Sequence, residues 1–403
     1  MTAPARLLIY SHDSFGLGHL RRCRTIAHAL VDVYRDLSVL ILSGSPIIGS
    51  FDFRSRVDFV RVPGVIKLRN GDYTPLQLHI DIDHTLAIRS SIIRHTADVF
   101  APHMFLVDKE PLGLRGEVED TLRLLKSRGC RLVLGLRDVM DEPSTLVDEW
   151  RRKDVWPALR DLYDDIWVYG LPEIFNPVAE IPGMFSIADK IAYTGYLERD
   201  LPLMPEGVIE HDLPHEPYIL VTAGGGGDGA DVVEAVIRAY EHDPAIPWQA
   251  LIAFGPFMPL EDRLRFQERV HHLRQVDAIT FEARFERLVE SAAGVIAMGG
   301  YNTFCEILSF GKPALIMPRS VPRREQLLRT ERAAKLGLVR MLPEDDANNP
   351  ATMAAHLRDL PNWPAPDQSK VPGLLGGLPR IAELSRPYFD LVRPRLRSQH
   401  GGW

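Results

Sequence analysis

Cysteine is scarce and scattered: Cys23, Cys130 and Cys305 are the three in 403 residues, and no C-x-x-C spacing occurs. That distribution excludes a cysteine-built zinc site and a disulfide framework. The three read as small buried hydrophobes in a reducing compartment. Long apolar runs are missing as well. Near the start only residues 7–10 are apolar before Ser11-His12-Asp13, too short for a signal h-region, and no later stretch reaches bilayer length. The expectation is a soluble, cytoplasmic protein. A basic excess is also lacking: 47 Lys and Arg stand against 54 Asp and Glu, for a net charge of −7. Nucleic acid is therefore not an expected partner.

What remains is globular composition, 45% hydrophobic and 25% charged, on a chain long enough for two or three domains with separate cores. Short β-branched runs at 6–10, 37–42, 57–62, 104–107, 131–136 and 166–169 alternate with amphipathic helical patterns, such as Leu20, Cys23, Ala27 and Leu30 on one face. Continuous apolar strands separated by helices predict a parallel sheet covered on both sides. Residues 63–84 are less regular and read as an excursion over one sheet edge. The pattern pauses between Tyr196 and Pro217, where Pro202, Pro205 and Pro214 mark a linker. A second series follows at 218–223, 248–254, 276–280, 294–298, 314–317 and 338–341. The predicted fold is α/β, with two Rossmann-like doubly wound domains facing across a cleft. Residues 1–196 form the first, 197–216 the linker, 217–377 the second, and 378–403 a basic tail that packs back or frays. Ligands of such sheets bind at the carboxyl ends of the strands.

Three motifs sit at those ends in the second series. Thr222-Ala-Gly-Gly-Gly-Gly-Asp-Gly229 lies between a strand and a helix, where glycines let backbone N–H groups approach a diphosphate. It lacks the Lys-Ser/Thr of a Walker loop. The next strand ends in Phe254-Gly255-Pro256, without the acid of a dinucleotide fingerprint. A tight glycine turn is the plain alternative. Next comes Gly299-Gly-Tyr-Asn-Thr-Phe-Cys-Glu306-Ile-Leu-Ser-Phe-Gly311-Lys-Pro313, which places free N–H donors at a helix start near Asn302 or Thr303 and Glu306 one turn in. A carboxylate there can accept both hydroxyls of a ribose, or be an ordinary helix acid. Then Pro318-Arg319 and Arg323-Arg324-Glu325-Gln326 open a further helix on the same crevice, or form a solvated basic surface.

Together the last two segments resemble the donor site of the GT-B glycosyltransferases, most closely the MurG type. The likeness includes the Gly16-Leu17-Gly18-His19 loop and residues 225–230. It implies that Glu306 holds the ribose and Gln326 the donor sugar. It also implies that Gly226, Gly227 and the neighbourhood of Thr303 face the diphosphate and that the base rests near Phe281 and Phe285, with Gly225, Gly299, Gly300, Asn302, Arg324 and Glu325 as further substrate-binding candidates. Met298-Gly299 departs from the arginine-serine usual in that type, and Glu325 from a glutamine, so the base and sugar are left open, with UDP expected.

In the first half, His19 stands at a helix start, whose dipole favours the neutral imidazole. Asp108-Lys109-Glu110 and Arg137-Asp138 follow two strands into the same crevice. His19, Asp108, Glu110 and Asp138, in that order, are candidates for the base that deprotonates an acceptor; Gly18 and Arg137 are candidates for substrate contact. The implied reaction is hexosyl or N-acetylhexosaminyl transfer from a nucleotide-sugar substrate, inverting and independent of metal and cofactor. Asp81-Ile-Asp83 has a D-x-D spacing but follows no strand. The acceptor is a small molecule or lipid-linked, and the basic tail is a candidate for peripheral membrane contact. A nucleotide-sugar hydrolase of the same fold and a non-catalytic nucleotide-sugar-binding subunit are the alternatives.

Overall fold

A computed structural model of the chain describes residues 4–12, 18–68, 72–202 and 216–390. Part of the first glycine loop, most of the expected linker and the end of the basic tail lie outside the described residues.

The first half contributes β1 (Ala5–Ser11), β2 (Leu37–Ser43), β3 (Val57–Arg61), β4 (Val65–Lys67), β5 (Tyr73–Pro75), β6 (Met104–Asp108), β7 (Arg131–Arg137), β8 (Asp165–Tyr169) and β9 (Ile191–Tyr193). Seven of these form one sheet in the order β3-β2-β1-β6-β7-β8-β9, every neighbouring pair parallel. The second half contributes β10 (Tyr218–Thr222), β11 (Gln249–Ala253), β12 (Val276–Ile279), β13 (Gly294–Ala297), β14 (Ala314–Ile316) and β15 (Arg340–Met341), ordered β12-β11-β10-β13-β14-β15. Helices cover both faces of each sheet, so the central strands are buried almost throughout, with their polar residues at the strand ends. All five residues of β10 are buried, as sheets buried on both sides require.

The irregular segment after β3 is an antiparallel hairpin of β4 and β5. The helix Ile82–Phe100 follows it, with Asp81 as the N-cap accepting from the His84 N–H at 2.8 Å. Arg89 on that helix makes a two-pronged bond to Glu117 at 2.7 and 2.6 Å and donates to the Pro63 carbonyl at 2.6 Å. This ties the excursion to the sheet. At the other end of the chain, helix Gly377–Phe389 packs back on the first domain: the Tyr34 hydroxyl donates to the Ala382 carbonyl at 2.6 Å, and its ring meets Phe389 edge-on.

Order reverses between β1 and β6 in the first sheet and between β10 and β13 in the second. Those reversals open crevices at the carboxyl ends of the strands, and the two crevices face one another. Asp138, just past β7, and Arg329, on helix Glu325–Lys335, join them. Arg329 Nε and Nη2 donate to the two Asp138 oxygens, each at 2.6 Å, with both side chains fully buried. The Tyr196 hydroxyl adds a third bond to Asp138 at 2.6 Å, and Arg329 Nη1 reaches the Gly299 carbonyl at 2.8 Å.

Removing one partner of a buried pair strands the other without a counterion, at a cost of about 3–5 kcal/mol. Asp138→Ala should therefore lose that order of stability in urea unfolding, whereas cutting the exposed Arg151–Asp148 pair should change it little.

Candidate functional site

The crevice of the first sheet is built at the ends of β1 and β6. The helix Gly18–Val33 begins there and carries His19 and Arg22 on successive turns of one face. Asp108 closes β6 and is 1% exposed. Arg22 Nε and Nη2 donate to its two oxygens at 2.8 and 2.6 Å, and His19 Nδ1 lies 2.5 Å from Oδ2. Two groups compete for Nδ1: Arg22 Nη2, which can only donate, stands 3.0 Å away, and Asp108, which can only accept, stands nearer; the shorter contact assigns the imidazole proton to Nδ1. Nε2 is then left with its lone pair and, among the described residues, without a hydrogen-bond partner. Burial would raise the Asp108 carboxyl, but Arg22 and His19 overcome it and hold it well below the usual carboxylate range. Burial also pushes His19 down to about 4, and the attraction of Asp108 does not offset it. The neutral ring that the sequence ascribes to a helix start comes chiefly from burial, with the charges of Arg22 and Lys109 assisting.

The crevice of the second sheet is made of backbone. Gly226 has φ +94°, and a Cβ there would stand 2.6 Å from the Phe254 carbonyl oxygen and 2.7 Å from the Met258 nitrogen. Gly299 has φ +79°, and a Cβ would stand 2.7 Å from Thr330 Oγ1. Only glycine fits either place. Two of the loop's donors serve the turn itself: the Gly224 N–H bonds Thr222 Oγ1 at 3.1 Å and the Gly226 N–H bonds the Ala223 carbonyl at 3.0 Å. Helix Tyr301–Ser309 opens directly after Gly300, directing its first N–H groups at the crevice. Past the end of that helix Gly311, with φ +59°, takes the left-handed conformation that turns the chain toward β14.

Two adjoining cavities lie between these loops. One, of about 190 Å³, is lined by Gly18, His19 and Arg137 from the first sheet and by Gly225, Phe281, Phe285, Gly300, Asn302 and Thr303 from the second. The other, of about 210 Å³, is lined by Gly225, Gly226, Gly227, Gly300, Thr303 and Gln326. The Gln326 side-chain oxygen accepts from the Arg319 N–H at 3.3 Å. Most of the residues singled out in the sequence thus meet in one cleft.

The others are committed elsewhere. Asp138 has both oxygens on Arg329, and Glu110 accepts from Lys153 at 2.9 Å. Neither lines either cavity, whereas His19 lines the first. Glu306 is fully buried behind Arg21, whose Nη2 donates to Oε1; burial raises the carboxyl to about 7 despite that cation. Glu325 pairs with Arg319 at 2.9 Å, and Arg324 with Glu142 at 3.1 Å across the domain boundary. Arg137 lines the cleft with its buried Nε unpartnered among the described residues, and burial lowers the guanidinium to about 10. Sequence reasoning passed over Arg21, Arg22, Glu286 and Arg329. Arg22 alone had a local signal, standing three residues after His19 on a helix.

Residues 218–370 match the model of the glycosyltransferase family 28 C-terminal domain. A UDP-N-acetylglucosamine–N-acetylmuramyl-(pentapeptide) pyrophosphoryl-undecaprenol N-acetylglucosamine transferase of Alkaliphilus metalliredigens is 22% identical over 115 residues, 28% of this chain. The match spans about a third, 31%, of that curated relative's length. Among solved structures, the glycosyltransferase of kitacinnamycin superposes with a TM-score of 0.63 at 15% identity, over 96% of this chain and 99% of that one. UGT2 of Phytolacca americana, complexed with UDP-2-fluoro-glucose and pterostilbene, gives 0.59 at 14% identity, over 95% of each chain. The likeness to the MurG type is distant. The architecture of the whole chain is the GT-B glycosyltransferase fold, and its second half matches a family 28 C-terminal domain.

Proposed function

We propose that the protein is an inverting glycosyltransferase that takes a hexose or N-acetylhexosamine from a nucleoside diphosphate donor, with UDP as the nucleotide. The observation that carries this reading is the His19–Asp108 pair, which presents a lone-pair nitrogen to a cavity whose far wall is the two glycine loops. His19 Nε2 takes the acceptor's hydroxyl proton as its oxygen attacks the anomeric carbon. The bond from that carbon to the β-phosphate oxygen breaks, and the nucleoside diphosphate departs with the electron pair. Attack opposite the leaving group inverts the centre. Asp108, kept ionised by Arg22, orients the ring and stabilises the imidazolium that forms. The departing charge develops beside Gly300 and the first turn of helix Tyr301–Ser309, where preorganised N–H donors lower the barrier. Phe281 and Phe285 flank the base, Glu306 takes the ribose and Gln326 the sugar.

A panel of sugar nucleotides scored by thermal shift tests the donor assignment, because a ligand of the native state raises the unfolding temperature. His19→Ala should keep the donor-induced shift while losing about 10²–10⁴-fold in turnover with an acceptor pool. Turnover equal to the parent's would rule out His19 as the base. Glu306→Ala should lose the donor-induced shift, and unchanged donor affinity would remove the ribose assignment. Donor consumption without any acceptor would point to hydrolysis instead.

The acidic limb of kcat/KM follows from the same ring. The neutral form is the reactive one, and its pKa lies at about 4. As pH falls through that value activity drops, by about tenfold per unit well below it. Above it, through neutrality, His19 imposes no further rise. A limb near the ordinary histidine value would contradict the half-buried, neutral ring.

A further inference from the structure

Arg21 belongs to the first domain, on helix Gly18–Val33, yet its charged partners are both in the second. Its Nη2 donates to Glu286 Oε1 at 2.8 Å and to Glu306 Oε1, and its guanidinium carbon stands 5.6 Å from the centre of the Phe285 ring. One guanidinium therefore serves two buried carboxylates. Glu306 Oε2 is buried and, among the described residues, has no hydrogen-bond partner. A fully buried carboxylate with one oxygen unmet is costly to maintain, and a ribose, with two hydroxyl donors side by side, would satisfy both oxygens where Arg21 satisfies one. The side chain also covers an aromatic ring to which the base was assigned.

We propose that Arg21 is an internal stand-in for the nucleoside: in the free protein it occupies the ribose carboxylate and the base-binding ring, a nucleoside diphosphate displaces it, and Glu286 retains it once displaced. Arg21 and Glu286 are thus donor-affinity residues on opposite domains. The inference rests on the reading of Glu306 as the ribose ligand. While Arg21 is in place the site is occupied from within, and apparent affinity is reduced by the fraction of molecules in which it is vacated. The same contact clamps the cleft when no donor is present.

Calorimetric titration of the full chain with UDP, dTDP, GDP and ADP tests the displacement. Arg21→Gln should bind the accepted nucleotide about tenfold more tightly than the parent, as expected when a state populated at roughly one part in ten becomes dominant. Glu286→Gln, which leaves Arg21 intact but removes the charge that retains it after displacement, should bind more weakly than the parent. These opposite signs keep the test decisive should one variant fail to fold. Equal or weaker binding by Arg21→Gln, or tighter binding by Glu286→Gln, would overturn the displacement; if Glu306→Ala meanwhile loses binding, the donor site itself stands. Parent-like binding by Glu306→Ala would instead remove the ribose assignment beneath the proposal. Binding of none of the four nucleotides to the parent or to Arg21→Gln would overturn both.

Discussion

The geometry of the cleft depends on one buried ion pair. Asp138 and Arg329 are fully enclosed, and every oxygen of the carboxylate is met: two by the guanidinium, one shared with the Tyr196 hydroxyl. Desolvation makes such a pair a poor source of net stability, but a strict one of geometry, since any other arrangement leaves a buried charge unpaired. Arg329 then spends its remaining nitrogen on the Gly299 carbonyl, so the pair that joins the domains also fixes the loop from which helix Tyr301–Ser309 starts. The ion pairs nearer the surface, Arg332 to Glu180 and Arg324 to Glu142, follow the same boundary but are partly exposed to water and contribute less.

Charge is distributed differently on the two sides of the cleft. On the first side, Asp108 has a committed cation in Arg22, stays ionised, and leaves the adjacent His19 neutral. On the second, Glu286 and Glu306 share Arg21, and burial raises Glu306 to about 7. Environments that push titratable groups apart assign their tasks. A low-pKa carboxylate beside a neutral imidazole suits proton transfer. A carboxylate short of partners suits a ligand that brings hydroxyl donors.

The two sheets were legible because strands buried on both faces are continuous apolar runs, and residues 104–107 and 294–298 are runs of strand length set between helical patterns. Edge elements lacked that constraint. β9 is three residues long and only partly buried, and the β4–β5 hairpin is equally short, so neither stood out from its surroundings. Glycine loops were legible for a steric reason, since Gly226 and Gly299 have backbone angles and neighbours that no side chain tolerates. The roles of carboxylates were much less so. Asp108 and Asp138 both stand where a strand ends at the cleft, and the sequence kept both as candidates for the base. What separates them is an arginine 86 residues away in one case and 191 in the other. Periodicity carries no record of such pairings.

Several residues assigned to ligand contacts hold the other domain in the free protein. Asn302, at the start of the donor-side helix, donates to the Gly18 carbonyl at 3.0 Å and accepts from Arg199 at 2.8 Å; Glu306 is held by Arg21. These contacts lie on the cleft walls or directly behind them, where a bound donor would need the same atoms. Asp138 and Arg329 lie outside the residues lining either cavity. The boundary therefore contains two kinds of polar contact. One kind has groups whose hydrogen bonds a ligand's own donors and acceptors can replace. The other can be broken only at the full expense of a buried charge. If the cleft takes a donor as proposed, both kinds are needed: exchangeable contacts at the mouth, and a fixed one behind it that holds the two walls in register while the others change hands.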